Sequence, residues 1–576
     1  MNLPIYPEGL PVLSILIFSP LAAALVAAFI GSERLLRWWT LLFTLAAAAF
    51  SLPLYAQFNS DDALFQFKEH ANWIPSLQIH YTLGVDGISL VLVLLTTLIM
   101  PLCVLCSWRY ITTRIKEFMI CLLIMESAMI GVFCALDFIL FFVFWEAMLI
   151  PMCLLIGVWG GPRKIYAALK FFVYTMAGSV LLLVAIIALY LNAKTFNIPD
   201  LMGRPYEHGF QCWVFLAFAI SFAIKVPMFP FHTWLPAAHV EAPTAGSVIL
   251  ASILLKMGTY GFLRFCLPIT PYATHVFLPY MLGLSVVAII YGGVAALAQS
   301  DLKKMVAYSS VGHMGFATLG IFTLREGGLE GALLQMINHG VTTGALFICV
   351  GIIYERLHTR DLAKTAGLGK FMPIFAFFFG VFCLSSFAFP GTNSFIGEFM
   401  VMVAAFVQSK KVAFCVVPGV VIAAAYMLRM LQTVAYGGTQ NPDHSKVPDL
   451  GLREILTLTP LLVFVFWIGL HPAPFTRVMH ASVKHLIEQT TLEKAAEATT
   501  ALSPSPQPAV EGRRSQTFGS SHVPTAETLS PIGQGFSLSP GERVGVRGKE
   551  LGASPRLPLL APGLISPTAA LVPAKG

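Results

Sequence analysis

The sequence predicts an all-α polytopic membrane protein with about 14 transmembrane helices. Of the 576 residues, 57% are hydrophobic and only 11% are charged, whereas ordinary soluble domains carry about 25% charged residues. The apolar runs are about 20 residues long, which is the length that a membrane helix needs. They also lack the alternation of polar and apolar residues that is typical of short barrel strands.

Turn and charged residues divide the chain into fourteen predicted spans. They cover residues 10–30, 35–56, 84–107, 115–135, 137–157, 165–191, 211–231, 244–267, 275–298, 302–322, 330–354, 371–408, 412–436 and 454–473. We interpret the first run as a membrane helix because no small-residue cleavage site follows it, so a cleavable signal peptide is not expected.

Two of these spans are interrupted, the seventh by KVPMFP and the twelfth by SSFAFPGTNSFIGEF. Proline breaks at corresponding places in two halves are typical of inverted-repeat transporters. The breaks lie five spans apart, so spans 4–8 and 9–13 are predicted to form two inverted five-helix repeats. The resulting division is 1–114 (three helices and an external loop), 115–267 and 275–436 (the repeats), 437–490 (the last helix and its flank) and 491–576 (a disordered Ser/Pro/Gly-rich tail).

Basic residues predict the orientation of the chain. The loops after spans one, three, five, nine and eleven are rich in lysine and arginine, and only Lys410 and Lys411 depart clearly from this pattern. Such loops are usually cytoplasmic. We therefore expect a multi-pass protein of a bacterial inner membrane with both termini in the periplasm.

Ionisable residues inside the spans are the candidate functional residues. A lysine in the middle of a membrane helix costs about 2.5–3.5 kcal/mol and marks an ion or proton pathway by default. The candidates are Glu146, Lys225, Lys256, His313, His339 and Glu398. Histidine titrates near neutral pH unaided, and buried lysine or glutamate can be shifted into the same range, so this set suits a proton relay.

The candidates also suggest an order of transfer. Glu146 and Lys225 would form an ion pair if spans five and seven touch, and opening that pair would prepare the lysine to release its proton. Lys256 would be the next acceptor, and the two histidines could bridge to Glu398. The alternative is that these charges only hold neighbouring helices together.

Several other polar residues carry weaker signals. His232, His239 and Glu241 lie in the segment joining spans seven and eight, where either loop-fixing hydrogen bonds or a part in the pathway would account for them. Asp86 is expected to cap the start of the third span. Glu126 lies in the middle of span four, and the sequence assigns it no role.

Motifs for bound redox cofactors or nucleotides are absent from the sequence. It has no G-x-G-x-x-G in a βαβ setting and no P-loop. Its ten cysteines are scattered and have neither metal-ligand nor iron–sulfur spacing. We therefore expect the chain to bind no cofactor or metal itself and to take its energy from partner subunits or from another gradient.

The segment KVPMFPFHTWLPAAHVEAPTAGSVILASILLKMGTYG resembles the signature of antiporter-like membrane subunits. These subunits occur in respiratory complex I, in related hydrogenases and in multisubunit sodium/proton antiporters. LGVDGISL, FFVFWEAMLIPMCLLIGVWGG, QSDLKKMVAYSSVGHMG and INHGVTTGALF resemble the subunit M family of complex I in particular. The discriminating motif is GTNSFIGEFM, in which Glu398 stands where the subunit L and N families carry lysine.

The resemblance covers about residues 10–490 and implies fourteen helices with one proton channel. Quinone reduction elsewhere in the complex would drive the channel, as in a translocase of the NADH:quinone oxidoreductase type. The six candidate residues match the family's relay positions one by one. The resemblance further implies that NADH, flavin, iron–sulfur clusters and quinone are bound by partner subunits, and that the partners include the L and N types, small membrane subunits and the lipid bilayer.

Two alternatives to this function stay open at the level of sequence. One is a subunit of a multisubunit cation/proton antiporter, and the other is a structural scaffold of the membrane arm. The tail over 500–576 departs from the family pattern and is expected to be dispensable.

Overall fold

The fold was analysed in a computed structural model that describes residues 6–7, 9–438 and 447–491. The predicted disordered tail after residue 491 lies outside these residues. Within the described ranges, thirteen helices are long and apolar enough to cross a membrane. Two shorter apolar helices, Pro373–Ser386 and Asn393–Gln408, together correspond to the predicted twelfth span. The predicted all-α polytopic membrane fold is confirmed.

The α-helices follow the predicted spans with small shifts at their ends. They are α1 Val12–Phe29, α2 Glu33–Gln57, α3 Gly87–Ser107, α4 Ile115–Cys134, α5 Phe138–Ala147, α6 Leu149–Trp159, α7 Lys164–Ala193, α8 Ile198–Leu201, α9 His208–Lys225, α10 Trp234–Glu241, α11 Thr244–Ile249, α12 Leu255–Gly261, α13 Leu267–Ile269, α14 Pro271–Leu297, α15 Leu302–Phe322, α16 Glu326–Leu357, α17 Pro373–Ser386, α18 Asn393–Gln408, α19 Lys410–Tyr436, α20 Leu452–Leu470 and α21 Ala473–Thr490.

Aspartate caps fix the starts of three membrane helices. The side chains of Asp86, Asp137 and Asp301 accept hydrogen bonds from backbone N–H groups in the first turns of α3, α5 and α15. Each cap satisfies donors that a helix start leaves without a partner. The predicted capping role of Asp86 is confirmed.

The predicted fifth span crosses as one helical stretch, Phe138–Trp159, which is interrupted at Met148 between α5 and α6. Pro151 has no N–H to donate, and its ring conflicts with the carbonyl four residues earlier, which is that of Ala147. The interruption at Met148 therefore lies two residues after Glu146.

A β-hairpin occupies most of the long loop between α2 and α3, where no strand was predicted. Strands β1 (Gln66–Ile74) and β2 (Ile79–Val85) pair antiparallel around the 3₁₀ turn Pro75–Leu77. The hairpin is tied to the helices, because Glu69 Oε1 accepts from Leu13 N at 2.7 Å and Asp137 Oδ2 accepts from His80 N at 3.0 Å.

Both predicted helix breaks are present, and local polar contacts satisfy the free backbone groups. At the first break, the Trp234 indole donates to the Ile224 carbonyl at 2.8 Å. At the second, Asn338 Nδ2 donates to the Asn393 carbonyl at 2.8 Å, and Asn393 Oδ1 accepts from Ser385 Oγ at 2.5 Å. Non-helical backbone at membrane depth survives only where protein or a polar cavity covers it.

The predicted eighth span is one continuous helix over Thr244–Ile269, and its most apolar stretch is entirely buried. Within it, two π-helical segments, Leu250–Leu254 and Phe262–Cys266, separate α11, α12 and α13. Single π-turns inside α-helices are frequent at functional sites. Lys256 lies in α12, between the two segments.

Loops on one face of the bundle are held together by charged side chains. Arg163 pairs with Glu241 at 3.6 Å, and Arg360 pairs with Asp301 at 3.6 Å. Arg163, Asp301 and Arg360 lie in three of the loops with the most lysine and arginine, so we call this the basic face. The hairpin and α21 lie at the other ends of the spanning helices, which we call the hairpin face.

Candidate functional site

Five of the six predicted site residues are deeply buried. Their exposed fractions are 3% for Lys225, 0% for Lys256, 5% for His313, 2% for His339 and 2% for Glu398. Buried ionisable groups are costly unless they are paired or hydrogen-bonded, so their partners decide what the site can do.

Lys256 and His339 are in direct contact across two helices. Lys256 Nζ lies 2.6 Å from His339 Nδ1 and donates to the Ala251 carbonyl at 2.5 Å. Ala251 belongs to the first π-helical segment. A lysine nitrogen within hydrogen-bond distance of an imidazole can exchange a proton with it, because each group has a neutral and a charged form.

Glu398 forms the other end of the cluster. Its Oε1 lies 3.1 Å from His313 Nδ1 and accepts from Gln335 Nε2 at 2.9 Å. The other ring nitrogen of the same histidine, Nε2, lies 3.3 Å from Ser386 Oγ. When the histidine is protonated, this contact is a buried ion pair, so the position can hold a proton between two acceptors.

The two halves of the cluster meet between the histidines. The rings of His313 and His339 are 5.9 Å apart at their centroids. His339 Nε2 has no hydrogen-bond partner among the described residues. The order Lys256, His339, His313, Glu398 therefore contains two close contacts and one gap that a ring rotation or a bridging water would close.

Lys225 and Glu146 do not form the expected ion pair, so that expectation is corrected. Glu146 acts on Lys225 electrostatically, but no ion pair joins them in the described part of the chain, and Lys225 Nζ instead lies 4.8 Å above the Trp145 ring. Trp145 packs against Phe222 of α9 at 6.0 Å. Adjacent residues on a helix do not share a face, so the tryptophan occupies the side where the carboxylate was expected.

Structural analysis adds residues that the sequence alone did not single out. Gln335 lies one helical turn before His339 on α16, and Ser386 ends α17 beside the second break. Both are ordinary polar residues within apolar runs, and only their three-dimensional contacts with Glu398 and His313 reveal them.

His239 lies closer to the cluster than a loop-fixing role suggests. It is fully buried, it stacks on Phe347 at 4.4 Å, and neither ring nitrogen has a hydrogen-bond partner among the described residues. Lys256 and Lys303 both act on it electrostatically. Lys303 is itself buried and donates to the Ala242 carbonyl at 2.6 Å.

The other polar residues from the sequence are placed apart from the cluster. Glu241 accepts from the backbone N–H of Arg163 at 3.0 Å, as expected for a loop-fixing residue. His232 Nε2 lies 3.3 Å from the Tyr291 hydroxyl. Glu126 is fully buried in α4, and neither of its carboxyl oxygens has a partner in the part of the chain that the structure describes.

A buried chain of lysine, histidine and glutamate between two discontinuous helices defines the class of antiporter-like membrane proteins, and comparison with known proteins agrees. Residues 135–423 match the family model described as NADH:quinone oxidoreductase/Mrp antiporter, TM. The chain is 46% identical over 495 residues to NADH-quinone oxidoreductase subunit M of Rhodobacter capsulatus, covering 83% of this chain and 96% of that protein. It is 45% identical over 479 residues to NADH-ubiquinone oxidoreductase chain 4 of Arabidopsis thaliana, covering 83% and 97%. The chain belongs to this subunit M, or chain 4, family.

Solved structures show the same fold. A chain of respiratory complex I from Thermus thermophilus with bound NADH is similar with a TM-score of 0.77 and 29% identity, covering 83% of this chain and 100% of that one. A chain of the Mrp complex from Dietzia sp. is similar with a TM-score of 0.71 and 19% identity, covering 86% and 57%. At that identity the second match supports the fold alone.

Proposed function

We propose that this chain is the proton-translocating membrane-arm subunit of an NADH:quinone oxidoreductase. In this role it is a translocase subunit that couples quinone reduction elsewhere in the complex to proton movement through its own relay. The observation that carries the proposal is the buried series from Lys256 through His339 and His313 to Glu398. Family membership supplies the context of the complex, and the contacts of these four side chains supply the pathway.

In the proposed relay, each group passes a proton to the next. Lys256 gives a proton to His339 Nδ1 across the 2.6 Å contact. Ring movement or a bridging water carries a proton on to His313, and His313 passes one to Glu398 across 3.1 Å. Because the Lys256 ammonium is buried and close to His339, loss of its charge relieves the desolvation penalty.

In the conformation seen here, Lys225 and Glu146 are proposed not to transfer protons themselves. Their role is to change the charge beside the relay, according to whether the two residues are paired. Lys225 Nζ lies 4.8 Å above the Trp145 ring, where the charged form of the lysine would gain a cation–π contact that is stronger in a desolvated site. Movement of Glu146 toward Lys225 would form the missing ion pair and favour the charged lysine. The interruption at Met148, two residues after Glu146, is the proposed hinge for that movement.

We propose that protons enter from the basic face. An open basin of about 410 Å³ on that face is lined by Asp301, Tyr354, His358 and Arg360, among others. Lys303 and His239 lie inward of this region, and His239 is acted on by both Lys303 and Lys256. The unpartnered ring of His239 is suited to carry a proton from the basin toward Lys256.

The remaining features of the proposal follow the same reasoning. The basic face is cytoplasmic and the hairpin face periplasmic, in a bacterial inner membrane. Spans 4–8 and 9–13 act as two repeats whose broken helices border the relay. NADH, flavin, iron–sulfur clusters and quinone are bound by partner subunits, and neighbours of the L and N types flank this chain in the membrane arm.

The test of the proposed function uses the Glu146→Ala and Lys225→Ala variants in the whole complex. NADH-driven quinone reduction and proton uptake would be measured in sealed vesicles, after a native gel has shown full assembly. Loss of both activities in assembled complex is the expected result. Near-normal turnover and pumping would mean that the Glu146 and Lys225 charges are structural, and sodium-dependent transport would favour the cation/proton antiporter instead.

A further inference from the structure

A second group of polar side chains begins one helical turn beyond Lys256, toward the hairpin face. Arg264 Nε donates to the Tyr260 hydroxyl at 3.2 Å. Its Nη2 donates to Ser89 Oγ at 3.2 Å and to Asp86 Oδ1 at 2.5 Å. The Tyr260 hydroxyl lies 3.3 Å from Ser89 Oγ and 3.4 Å from the Phe133 carbonyl, so its proton has two acceptors within reach. Four side chains from two helices thus form one continuous hydrogen-bonded group.

This group is buried, although it contains two charges. The exposed fraction is 3% for Asp86, 0% for Ser89, 1% for Tyr260 and 6% for Arg264. A buried ion pair often stabilises a protein no more than apolar residues of the same size would. The capping bond of Asp86 accounts for one of its contacts, but it does not account for an arginine and a tyrosine hydroxyl beside it.

The group opens into a cavity on the hairpin face. The cavity measures about 190 Å³, and its lining includes Asp86 and Arg264. Further polar lining comes from the hairpin and from α21, through Lys68, Ser482, His485 and Gln489. At about 30 Å³ for each molecule, it has room for roughly six waters. Asp86 therefore lies between a buried polar chain and a space large enough to hold water.

The helix that carries Lys256 departs from α-helical geometry on both sides of the lysine. The π-helical segments Leu250–Leu254 and Phe262–Cys266 flank the lysine, and Arg264 lies in the second. Tyr260 follows Lys256 by four residues, a rise of about 6 Å. The long lysine side chain is hydrogen-bonded to His339 here, and a swing about its own bonds toward the Tyr260 hydroxyl is the movement that transfer to this group requires.

We propose that Tyr260, Ser89 and Asp86, held by Arg264, form a second proton outlet for Lys256 toward the hairpin face. This inference rests on the proposed function and deepens it. Lys256 Nζ gives a proton to the Tyr260 oxygen while the tyrosine's own proton passes to Ser89 Oγ. Asp86 is bonded by the backbone N–H of Ser89 and not by its hydroxyl, so a water from the cavity takes the serine proton and gives one of its own to the Asp86 carboxylate. Asp86 then releases that proton to the other waters in the cavity. Each transfer breaks one N–H or O–H bond and forms another, and Arg264 stays protonated throughout.

The test compares Tyr260→Phe and Asp86→Asn with Tyr206→Phe in the assembled complex. Tyr206 is similarly buried, at 3% exposed against 1% for Tyr260, and its hydroxyl donates to the Leu201 carbonyl at 3.5 Å rather than to a member of this group. We expect both outlet variants to lower uncoupled NADH:quinone turnover, and the protons moved per NADH in sealed vesicles, by about fivefold or more. The Tyr206→Phe enzyme should stay within about twofold of the parent.

Chemical rescue distinguishes a proton-transfer role of Asp86 from a purely structural one. Formate is small enough for the cavity and replaces the carboxylate lost in Asp86→Asn, so it should restore at least half of the lost turnover, measured with a protonophore present. If Asp86→Asn fails to assemble, Tyr260→Phe alone decides the question. Normal pumping by Tyr260→Phe, in a complex that Lys256→Ala inactivates, would refute the outlet and leave the relay intact. Normal pumping by Lys256→Ala would refute both.

Discussion

Replacement of Glu398 by glutamine tests the end of the relay with little change in shape. Glutamine can keep a hydrogen bond to Gln335, but it cannot carry the negative charge that faces His313 at 3.1 Å. At an effective dielectric constant of about 20, two unit charges at that distance attract by about 5 kcal/mol. Removing the charge also removes its desolvation cost, which offsets part of the lost attraction. Removal of one partner from a buried charge pair typically costs about 2–5 kcal/mol in total.

If about 2–3 kcal/mol of that loss raises the barrier for proton transfer from His313 to residue 398, this transfer slows roughly 30- to 160-fold. The assay is NADH:quinone turnover with proton uptake in sealed vesicles, on complex whose assembly is checked by native gel. Glu117→Gln, which removes an exposed charge from the start of α4, is the matched control. Turnover of the Glu398→Gln complex within twofold of the control would refute the reasoning, because the carboxylate would then not be needed in the pathway.

Three further predictions concern the docking of α21, the packing at Gly258 and the role of Glu126. The hydrogen bond to Glu330 raises the pKa of His480 above its ordinary value of 6.5. Docking of α21 should therefore be strongest below about pH 6.5 and weaken as the pH rises through the raised pKa. Hydrogen exchange of residues 473–490 measures this pH dependence, and the same pH dependence in His480→Asn would contradict the prediction. A Cβ on Gly258 would lie 2.6 Å from the Val226 side chain. Gly258→Ala should therefore destabilise the fold by about 1–3 kcal/mol and lower the yield of assembled complex. Gly283 has open space around it, so Gly283→Ala should leave that yield unchanged. Glu126→Gln should keep turnover within about twofold, because the carboxyl makes no hydrogen bond to the described residues that the amide would lose; a large loss would place Glu126 in the pathway.

Much of the fold could be predicted from the sequence because the bilayer imposes simple rules. Span length, proline breaks and the clustering of lysine and arginine are local properties, so fourteen spans and two discontinuities could be located without coordinates. The β-hairpin could not, since β1 is mostly polar with glutamate, lysine and histidine. Its pairing depends on contacts with helix ends that are distant in sequence.

The residues of the site could be predicted from the sequence, but the contacts between them could not. Buried lysine, histidine and glutamate stand out in apolar runs, and this was enough to select Lys256, His339, His313 and Glu398. Which of them touch depends on the packing of helices. The expected pairing of Glu146 with its lysine therefore failed, because helical phase turns the adjacent tryptophan toward α9 instead.

The central claim is that Lys256 passes protons to His339 within a pumping subunit. The most direct test is Lys256→Ala in fully assembled complex, in sealed inner-membrane vesicles, with NADH-driven proton uptake and quinone reduction recorded together. We expect both activities to fall by about tenfold or more, because the contact of 2.6 Å between Nζ and Nδ1 is lost. Proton uptake and turnover equal to those of the parent complex would contradict it.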